Sequence, residues 1–401
     1  MRTTWSFHTA GQLTFGPGAV SQLGELLGRR KIERLLIVTD KNLVEAGIDE
    51  RVRKAIQEAG ITVETFADGE AEPSIEVALR SIECARQFEP QAVLGLGGGS
   101  NMDLSKITAL VYAHGGQPSD YFGFDNVPGP VLPLVCVPTT SGTGSEVSHA
   151  AVLTDTANEL KVSTLSNYLR PALAVVDPEL TYECPRQVAA DAGIDALTHA
   201  IEAYTAVDYQ SLDLPPGEKS AYEGRFPLGE CLAEQSIELI GRNLVAAVQD
   251  GDNHAARDEM ALAATLAGIA FSNCGVALVH ALEYPIGGAL HCSHGAGNGM
   301  LLPYVMRFNL PERKPTFARI ASLLGEDTSG MSEEDAAELA IAAVERIKRE
   351  IGIPERIRDI GGASIQLPLF AEKSFAIARL RWVNPRVSTQ KDILNILASA
   401  F

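Results

Sequence analysis

The sequence predicts an α/β amino-terminal domain with a parallel sheet, followed by an all-α carboxy-terminal domain. A length of 401 residues suits two domains. In the first half, short apolar runs alternate with stretches of helical periodicity, which is the pattern of βαβ units. After Asp177 and Pro178 the chain becomes rich in Ala, Leu, Glu and Ile at helical spacing, and strong strand-like runs end. We therefore expect an α/β domain over residues 1–182 and a helical domain over residues 183–401.

Short apolar or β-branched runs predict the strands of the first domain. They cover residues 34–40, 62–66, 92–96, 132–138 and 172–176. Their largely unbroken apolar character indicates a sheet that helices cover on both faces. Helices are predicted over 74–87 and 100–113 between these runs, and over 190–204 and 331–351 in the second domain.

Composition and charge exclude several classes of protein. The hydrophobic content of 46% is too high for intrinsic disorder, and no apolar run approaches the ~20 residues that span a bilayer. Because 51 acidic residues outnumber 33 basic ones, the net charge of −18 repels nucleic-acid phosphates and anionic membranes. The six cysteines are scattered and form no CxxC pair. Together with an amino terminus that lacks an apolar signal core, they predict buried thiols in a cytoplasmic protein.

A glycine-rich turn, residues 95–100, follows one predicted strand and opens a predicted helix. Glycines allow the backbone to approach a phosphate closely, and the free N–H groups of the following helix favour an anion. Ser100 and Asp103 also have the spacing of a capping box. The dinucleotide pattern GxGxxG is incomplete, because Ser100 occupies its third glycine position. A turn without any ligand is the alternative interpretation.

Two further features adjoin the carboxyl ends of predicted strands, where ligands bind in parallel sheets. Residues 138–146 form a loop rich in hydroxyl groups and glycine, which either contacts a ligand or satisfies its own backbone. Asp40 ends the first strong strand. Its carboxylate would accept hydrogen bonds from a ribose and repel a 2′-phosphate, which favours NAD over NADP. The alternative role of Asp40 is to cap the helix that follows.

A metal site is indicated in the helical half. Asp195 and His199 are four residues apart and therefore share one helix face. His280 and His294 lie in apolar or glycine-rich surroundings, where a buried imidazole needs a partner. Three imidazoles and one carboxylate suit a borderline divalent ion such as Fe²⁺ or Zn²⁺. His291 and Cys292, close to His294, are competing ligands at this level of analysis.

Over essentially its whole length the sequence resembles the iron-containing (group III) alcohol dehydrogenase family. The matching segments are residues 97–100 with Asp103 and Lys106, 138–146, 195–204 and 279–295. The resemblance implies the dehydroquinate synthase-like fold of that family, with a Rossmann-like amino-terminal domain and a helical carboxy-terminal domain. It also implies hydride transfer between a small alcohol or aldehyde and NAD(P).

The resemblance implies roles for individual residues. The metal-ligand positions of the family, which are also its catalytic positions, fall on Asp195, His199, His280 and His294, and His291 and Cys292 match none of them. The cofactor positions fall on Asp40, Gly98, Gly99, Ser100, Asp103, Thr139, Thr140, Thr143, Lys161 and Leu180. The implied cofactors are Fe²⁺ or Zn²⁺ together with NAD rather than NADP. The implied assembly is a homodimer with a small-molecule substrate and no nucleic-acid or membrane partner.

The sequence departs from the family pattern at three positions. Tyr284 stands where many members have a histidine that assists proton relay, Asn101 where proline is usual, and Glu72 where an Asn often contacts cofactor. Together with the insertion at 221–227, Tyr284 and Glu72 resemble a hydroxyacid–oxoacid transhydrogenase branch that acts on 4-hydroxybutyrate-like substrates. That activity is the alternative function. A lyase related to dehydroquinate synthase and a non-catalytic metal- or nucleotide-binding protein are more distant alternatives.

Overall fold

The chain forms two compact units in a computed structural model that describes residues 2–156 and 160–401. One unit extends from His8 to Cys184 and contains the sheets. The other consists of Pro185–Phe401 together with the amino-terminal segment that ends at Phe7.

The amino-terminal segment packs on the helical unit. The ring of Trp5 stacks on that of Phe226 with 4.4 Å between centroids, and Arg2 forms an ion pair with Glu223. An aromatic stack and an ion pair thus hold this segment on the helical unit. The domain boundary between residues 182 and 183 stays a prediction. Local periodicity gives no sign of such long-range contacts.

Nine strands form two sheets in the described part of the α/β unit. In chain order they are β1 Leu13–Phe15, β2 Arg34–Val38, β3 Thr62–Phe66, β4 Ala92–Gly97, β5 Gly123–Phe124, β6 Leu134–Pro138, β7 Ala150–Asp155, β8 Leu160–Leu165 and β9 Leu173–Val176. The larger sheet has the order β1-β9-β6-β4-β2-β3, and every neighbouring pair in it is parallel. All five predicted strands are confirmed, and they lie next to one another in this sheet.

Helices cover both faces of the larger sheet. They are α1 Leu23–Gly28, α2 Lys41–Glu45, α3 Ile48–Gln57, α4 Ile75–Phe88 and α5 Gly99–His114. Along β2, Leu35 and Ile37 join the core formed with α1 and α3, whereas Leu36 and Val38 join the core formed with α4 and α5. This two-sided burial explains the apolar runs in the sequence.

Two parts of the sheet structure escaped prediction. Strand β1 has only three residues, too few to produce a pattern. Strands β7 and β8 form an antiparallel pair in the smaller sheet, whose order is β5-β8-β7. Their half-buried, mixed side chains do not resemble the apolar runs of the parallel strands.

The second unit is helical, as predicted, and no strand occurs in its described residues. Its helices are α6 Arg186–Thr205, α7 Pro227–Gln249, α8 His254–Cys274, α9 Leu278–Leu290, α10 His294–Leu323, α11 Glu333–Ile351, α12 Leu367–Ala376, α13 Ala378–Arg381 and α14 Gln390–Ser399. They enclose one continuous apolar core. No single helix of the described chain is long and apolar enough to cross a membrane. Helices α8 and α9, which are bent by 104° at the break between them, have the required length and apolar composition only when taken together.

Asp177, directly after β9, accepts hydrogen bonds from three backbone N–H groups of the α/β unit. Its buried carboxylate accepts hydrogen bonds from the backbone N–H groups of Gly18 at 3.0 Å and of Val20 and Glu179 at 3.1 Å. A charged acceptor that satisfies several buried donors contributes more than a neutral hydrogen bond.

We expect Asp177→Ala to lower the free energy of unfolding by at least about 2 kcal/mol, because buried N–H donors lose their acceptor. Urea denaturation followed by circular dichroism measures this change. Glu58→Gln, at an exposed position of the same unit, is the control and should stay within about 0.5 kcal/mol of the parent. Equal midpoints for Asp177→Ala and the control would contradict the assigned role.

Candidate functional site

Helix α6 presents the first two predicted metal ligands from its buried face. Asp195 and His199 are one turn apart, and Oδ1 of Asp195 lies 3.9 Å from Nε2 of His199. Both side chains are at most 5% exposed. The spacing in the sequence therefore does place the carboxylate and the imidazole side by side.

Two other helices bring the remaining imidazoles to Asp195. His280 lies in the first turn of α9, and His294 is the first residue of α10. One ligand atom each from Asp195, His280 and His294 lies within 4.8 Å of the other two. His199 is beside this group, and its ring stacks on that of His280 at a centroid distance of 4.9 Å.

The structure therefore gathers three of the four predicted ligands and places the fourth, His199, against two of them. Among the described residues this is the one group of His, Cys, Asp or Glu side chains with such a geometry, and neither His291 nor Cys292 belongs to it. The assignment of all four residues as ligands stays a prediction.

A buried glutamate fixes the orientation of His280. Oε2 of Glu202 lies 2.6 Å from Nδ1 of His280, and the same carboxylate accepts from the backbone N–H groups of Ala277 and Val279 at 2.9 and 2.7 Å. An ionised carboxylate only accepts hydrogen bonds, so the proton of the neutral imidazole resides on Nδ1. The lone pair of Nε2 then faces Asp195 and is available to a metal ion.

A second glutamate does the same for His294. Oε2 of Glu283 lies 2.5 Å from Nδ1 of His294, and the Glu283 side chain is completely buried. Both imidazoles of the group thus have a carboxylate on Nδ1 and direct Nε2 toward Asn298.

Asn298 marks the point on which the ligand atoms converge. Its Nδ2 atom donates to Oδ1 of Asp195 at 2.8 Å and lies 3.1 and 3.2 Å from Nε2 of His280 and His294. Its buried Oδ1 atom has no hydrogen-bond partner among the residues that the structure describes. The carboxylate oxygen and the two imidazole nitrogens therefore surround the Asn298 amide, and three such electron-pair donors would also suit a cation.

The electrostatics of the group also favour a cation. Burial raises the pKa of the Asp195 carboxyl, but the imidazoles of His199, His294 and His280 and the amide of Asn298 outweigh it and hold the pKa below its ordinary value. Asp195, Glu202 and Glu283 bring three buried carboxylates to one place, which is costly without positive charge. The donors present, one carboxylate oxygen and imidazole nitrogens, fit Fe²⁺ or Zn²⁺.

In the α/β unit, the glycine-rich turn connects β4 to α5. Gly98 is the N-cap of α5, and no side chain of the described residues caps this helix end. The first N–H groups of α5 are therefore suited to an anion. The predicted capping box is wrong, because Ser100 donates to the backbone oxygen of Ala71 and Asp103 accepts from Ser145 and from the N–H of Val152.

The hydroxyl-rich loop after β6 lies against this turn, since β4 and β6 are neighbours in the sheet. The N–H of Thr139 donates to the oxygen of Gly97 at 3.0 Å. A Cβ atom at Gly99 would meet the Thr143 side chain at 2.8 Å, and one at Gly98 would lie 3.4 Å from Thr140. Glycine is required at 99 because the loop approaches so closely, and the two polar segments form one surface.

Lys106 fastens the loop to α5. Its completely buried amine donates to the backbone oxygens of Ser145 and Ala150, each at 2.8 Å, and to Oγ of Ser145 at 2.7 Å. Burial lowers the pKa of the Lys106 amine, and the nearby Asp103 carboxylate opposes that shift. The sequence match included Lys106 but gave no role for it, whereas the structure shows one.

Asp40 caps the helix that follows it, which was one of its two predicted roles. Its Oδ1 atom accepts from the N–H groups of Asn42 and Leu43 at 2.9 and 3.2 Å. Its Oδ2 atom accepts from Nδ2 of Asn101 at 2.7 Å, and this amide also donates to the oxygen of Leu96. Asn101 therefore connects Asp40 to the glycine-rich turn. Contact of Asp40 with a ribose stays a prediction.

The last two predicted cofactor residues lie on other elements. Lys161, on β8, has its amine 3.1 Å from Oε1 of Glu72. Leu180 follows β9, and its side chain is buried in the core beneath the sheet. Their roles toward a cofactor stay predictions.

Sequence reasoning missed the three residues that surround the ligand group. Glu202 follows His199 by three residues, Glu283 follows His280 by three, and Asn298 follows His294 by four. These spacings place each pair on one helix face, so the signal was present. It is a weak signal, because helices carry many polar residues at the same spacing.

Two family models match most of the chain. The model of iron-containing alcohol dehydrogenases matches residues 10–178, and that of the carboxy-terminal region of the Fe-containing alcohol dehydrogenase family matches residues 221–401. The NAD-dependent methanol dehydrogenase of Bacillus methanolicus is 38% identical over 96% of this chain and 97% of its own. The 1,3-propanediol dehydrogenase of Citrobacter freundii is also 38% identical, over 96% of each chain.

A solved structure has the same fold over its full length. The crystal structure of a 1,3-propanediol oxidoreductase superposes with a TM-score of 0.93 at 35% sequence identity and covers 100% of both chains. The fold class expected from the sequence is thereby confirmed.

We expect Lys106→Met to loosen the loop on α5. A hydrogen bond to a charged group contributes about 1.5–3 kcal/mol, so amide hydrogen exchange in residues 139–150 should accelerate at least about tenfold. Hydrogen exchange with mass spectrometry measures this rate. Lys54→Met, at an exposed position, should leave the loop unchanged. A loop equally protected in both variants would show that Lys106 does not hold it.

Proposed function

Because this chain belongs to the iron-containing alcohol dehydrogenase family, we propose that it oxidises a small primary alcohol with NAD and reduces the matching aldehyde. The observation that carries this proposal is the convergence of Asp195, His280 and His294, each oriented or contacted by a buried polar side chain. The chain is an NAD-dependent oxidoreductase of the iron type.

Asp195, His199, His280 and His294 would hold the divalent ion. When bound, the ion supplies a Lewis acid that lowers the pKa of an alcohol hydroxyl toward neutrality. The protein residues perform the positioning. The His280 ring is held by the Glu202 carboxylate on Nδ1, which keeps Nε2 directed at the proposed ion.

The residues proposed for NAD belong to the α/β unit. The uncapped start of α5 at Gly98–Ser100 suits the pyrophosphate, and the adjoining loop supplies the hydroxyl groups of Thr139, Thr140 and Thr143. NAD supplies the redox chemistry, and these residues bind and orient it. Asp103 holds the loop through Ser145, so its proposed contribution to cofactor binding is indirect.

We place the enzyme in the cytoplasm as a homodimer. The six cysteines of the chain carry no disulfide in the structure, a state that a reducing compartment preserves. Strand β1 lies at the edge of the larger sheet and exposes Leu13 and Phe15 to 40% and 38%. An edge strand with exposed apolar side chains favours pairing with a second copy. Light scattering of the purified chain measures its mass in solution.

His280→Ala should abolish NADH formation from short alcohols, because it removes a metal ligand together with the anchor of Glu202. The affinity for NADH should remain nearly intact, since the proposed NAD residues lie in the other unit. Anaerobic assays of protein loaded with Fe²⁺, paired with elemental analysis and NADH fluorescence, measure both quantities. His254→Ala, outside the metal group, is the control.

Retained turnover in His280→Ala would reject the proposed mechanism. A parent chain that releases little NADH until an oxoacid is added would instead identify the transhydrogenase activity.

Asp40→Ser should shift the cofactor preference toward NADP, because serine keeps the helix cap but removes the charge that repels a 2′-phosphate. We expect the ratio of kcat/KM for NADP to that for NAD to rise at least about tenfold, equivalent to about 1.4 kcal/mol. Initial-rate kinetics with both cofactors measure this ratio. An unchanged ratio would leave Asp40 with the role of a cap alone.

A further inference from the structure

Beyond the ligand positions, we propose that Glu283 is a positioning residue that holds the ring of His294 with Nε2 facing the metal ion. This inference rests on the proposed function and concerns the affinity of the same metal site. The carboxylate is 2.5 Å from Nδ1 of His294 and completely buried.

His294 needs such a contact more than His280 does. It is the first residue of α10, and its side chain is 31% exposed, against 2% for His280. The torsion that turns an imidazole ring has broad, roughly twofold minima, so an unrestrained ring readily presents carbon in place of nitrogen. The His280 ring also stacks on that of His199 at a centroid distance of 4.9 Å, whereas His294 meets His280 edge-on at 5.3 Å.

Helix α10 leaves space for the Glu283 side chain where it packs against α9, because residue 297 is glycine. A Cβ atom at Gly297 would lie 2.9 Å from Cγ of Glu283, so a side chain at 297 would force Glu283 to shift. Glu283 reaches His294 because α10 has no side chain at this point. The position on α9, three residues after His280, turns the carboxylate toward the same side of the helix as that ligand.

Glu202 is less suitable for isolating the effect of a carboxylate on a metal-bound imidazole. Besides His280, it accepts from the backbone N–H groups of Ala277 and Val279 at the start of α9. Its replacement would therefore disturb the helix as well as the ligand. Glu283 lies within α9, and its carboxylate contacts Nδ1 of His294.

The test measures Zn²⁺ affinity of metal-free protein by competition with a chromophoric chelator, with no alcohol or NAD present. Loss of a carboxylate behind a metal-bound histidine typically weakens metal affinity about 10–100-fold, and we expect this loss for Glu283→Ala. The Zn²⁺ affinity of Glu283→Gln should be closer to that of the parent, because the amide oxygen of Gln still accepts a hydrogen bond from Nδ1 although the negative charge is lost. The matched control is Glu326→Gln, which removes a partly buried carboxylate paired with Arg346.

A parallel spectrum of Co²⁺-loaded protein reports on the ligands themselves. Glu283→Ala should change the visible absorption of Co²⁺, whereas Glu283→Gln should retain the parental bands. Should Glu283→Ala not fold, as judged by melting against the Glu326→Gln control, Glu283→Leu fills a similar volume and takes its place.

The inference would be overturned if Glu283→Ala bound Zn²⁺ with an affinity within about twofold of the parent, because the usual loss is much larger. Equal losses in Glu283→Ala and Glu283→Gln would also overturn it, because charge rather than orientation would then decide affinity. A parent that binds Zn²⁺ tightly but oxidises no alcohol would reject the proposed function and leave this result standing. A parent that binds no Zn²⁺ would reject both.

Discussion

The helical unit is organised around the burial of carboxylates beside imidazoles. Asp195, Glu202 and Glu283 are each at most 5% exposed, and their mutual repulsion in a medium of low polarity requires positive charge nearby. The Nδ1–H groups of His280 and His294 offset part of the cost of this repulsion by donating hydrogen bonds to Glu202 and Glu283. A divalent ion held by the proposed ligands would complete this compensation.

In the α/β unit, the first backbone N–H groups of α5 lie at the edge of a close-packed sheet. The glycine-rich turn leaves the start of α5 uncapped, and the neighbouring loop could not approach it if residue 99 had a side chain. The buried amine of Lys106 holds that loop by bonding its backbone oxygens. A loop held in place beside the free N–H groups of a helix start suits anion binding.

Local patterns predicted a large part of this structure because they follow the periodicity of its elements. The apolar runs of β2, β4, β6 and β9 are buried on two faces, and such runs are visible without a partner strand. The three-residue strand β1 and the β7–β8 pair owe their structure to pairing, which no local window contains. The expected capping box failed for a related reason, because Ser100 and Asp103 bond to distant segments instead of to their own helix.

The sequence by itself determined the five buried parallel strands and the helical character of the second half, the one-turn spacing of Asp195 and His199, and the glycines of the turn. Each of these depends on a few neighbouring residues. Only the tertiary structure decided that Glu202 and Glu283 contact the far nitrogens of His280 and His294. Those contacts join residues 78 and 11 positions apart along the chain, and they exist because three helices pack with their polar side chains on a common point.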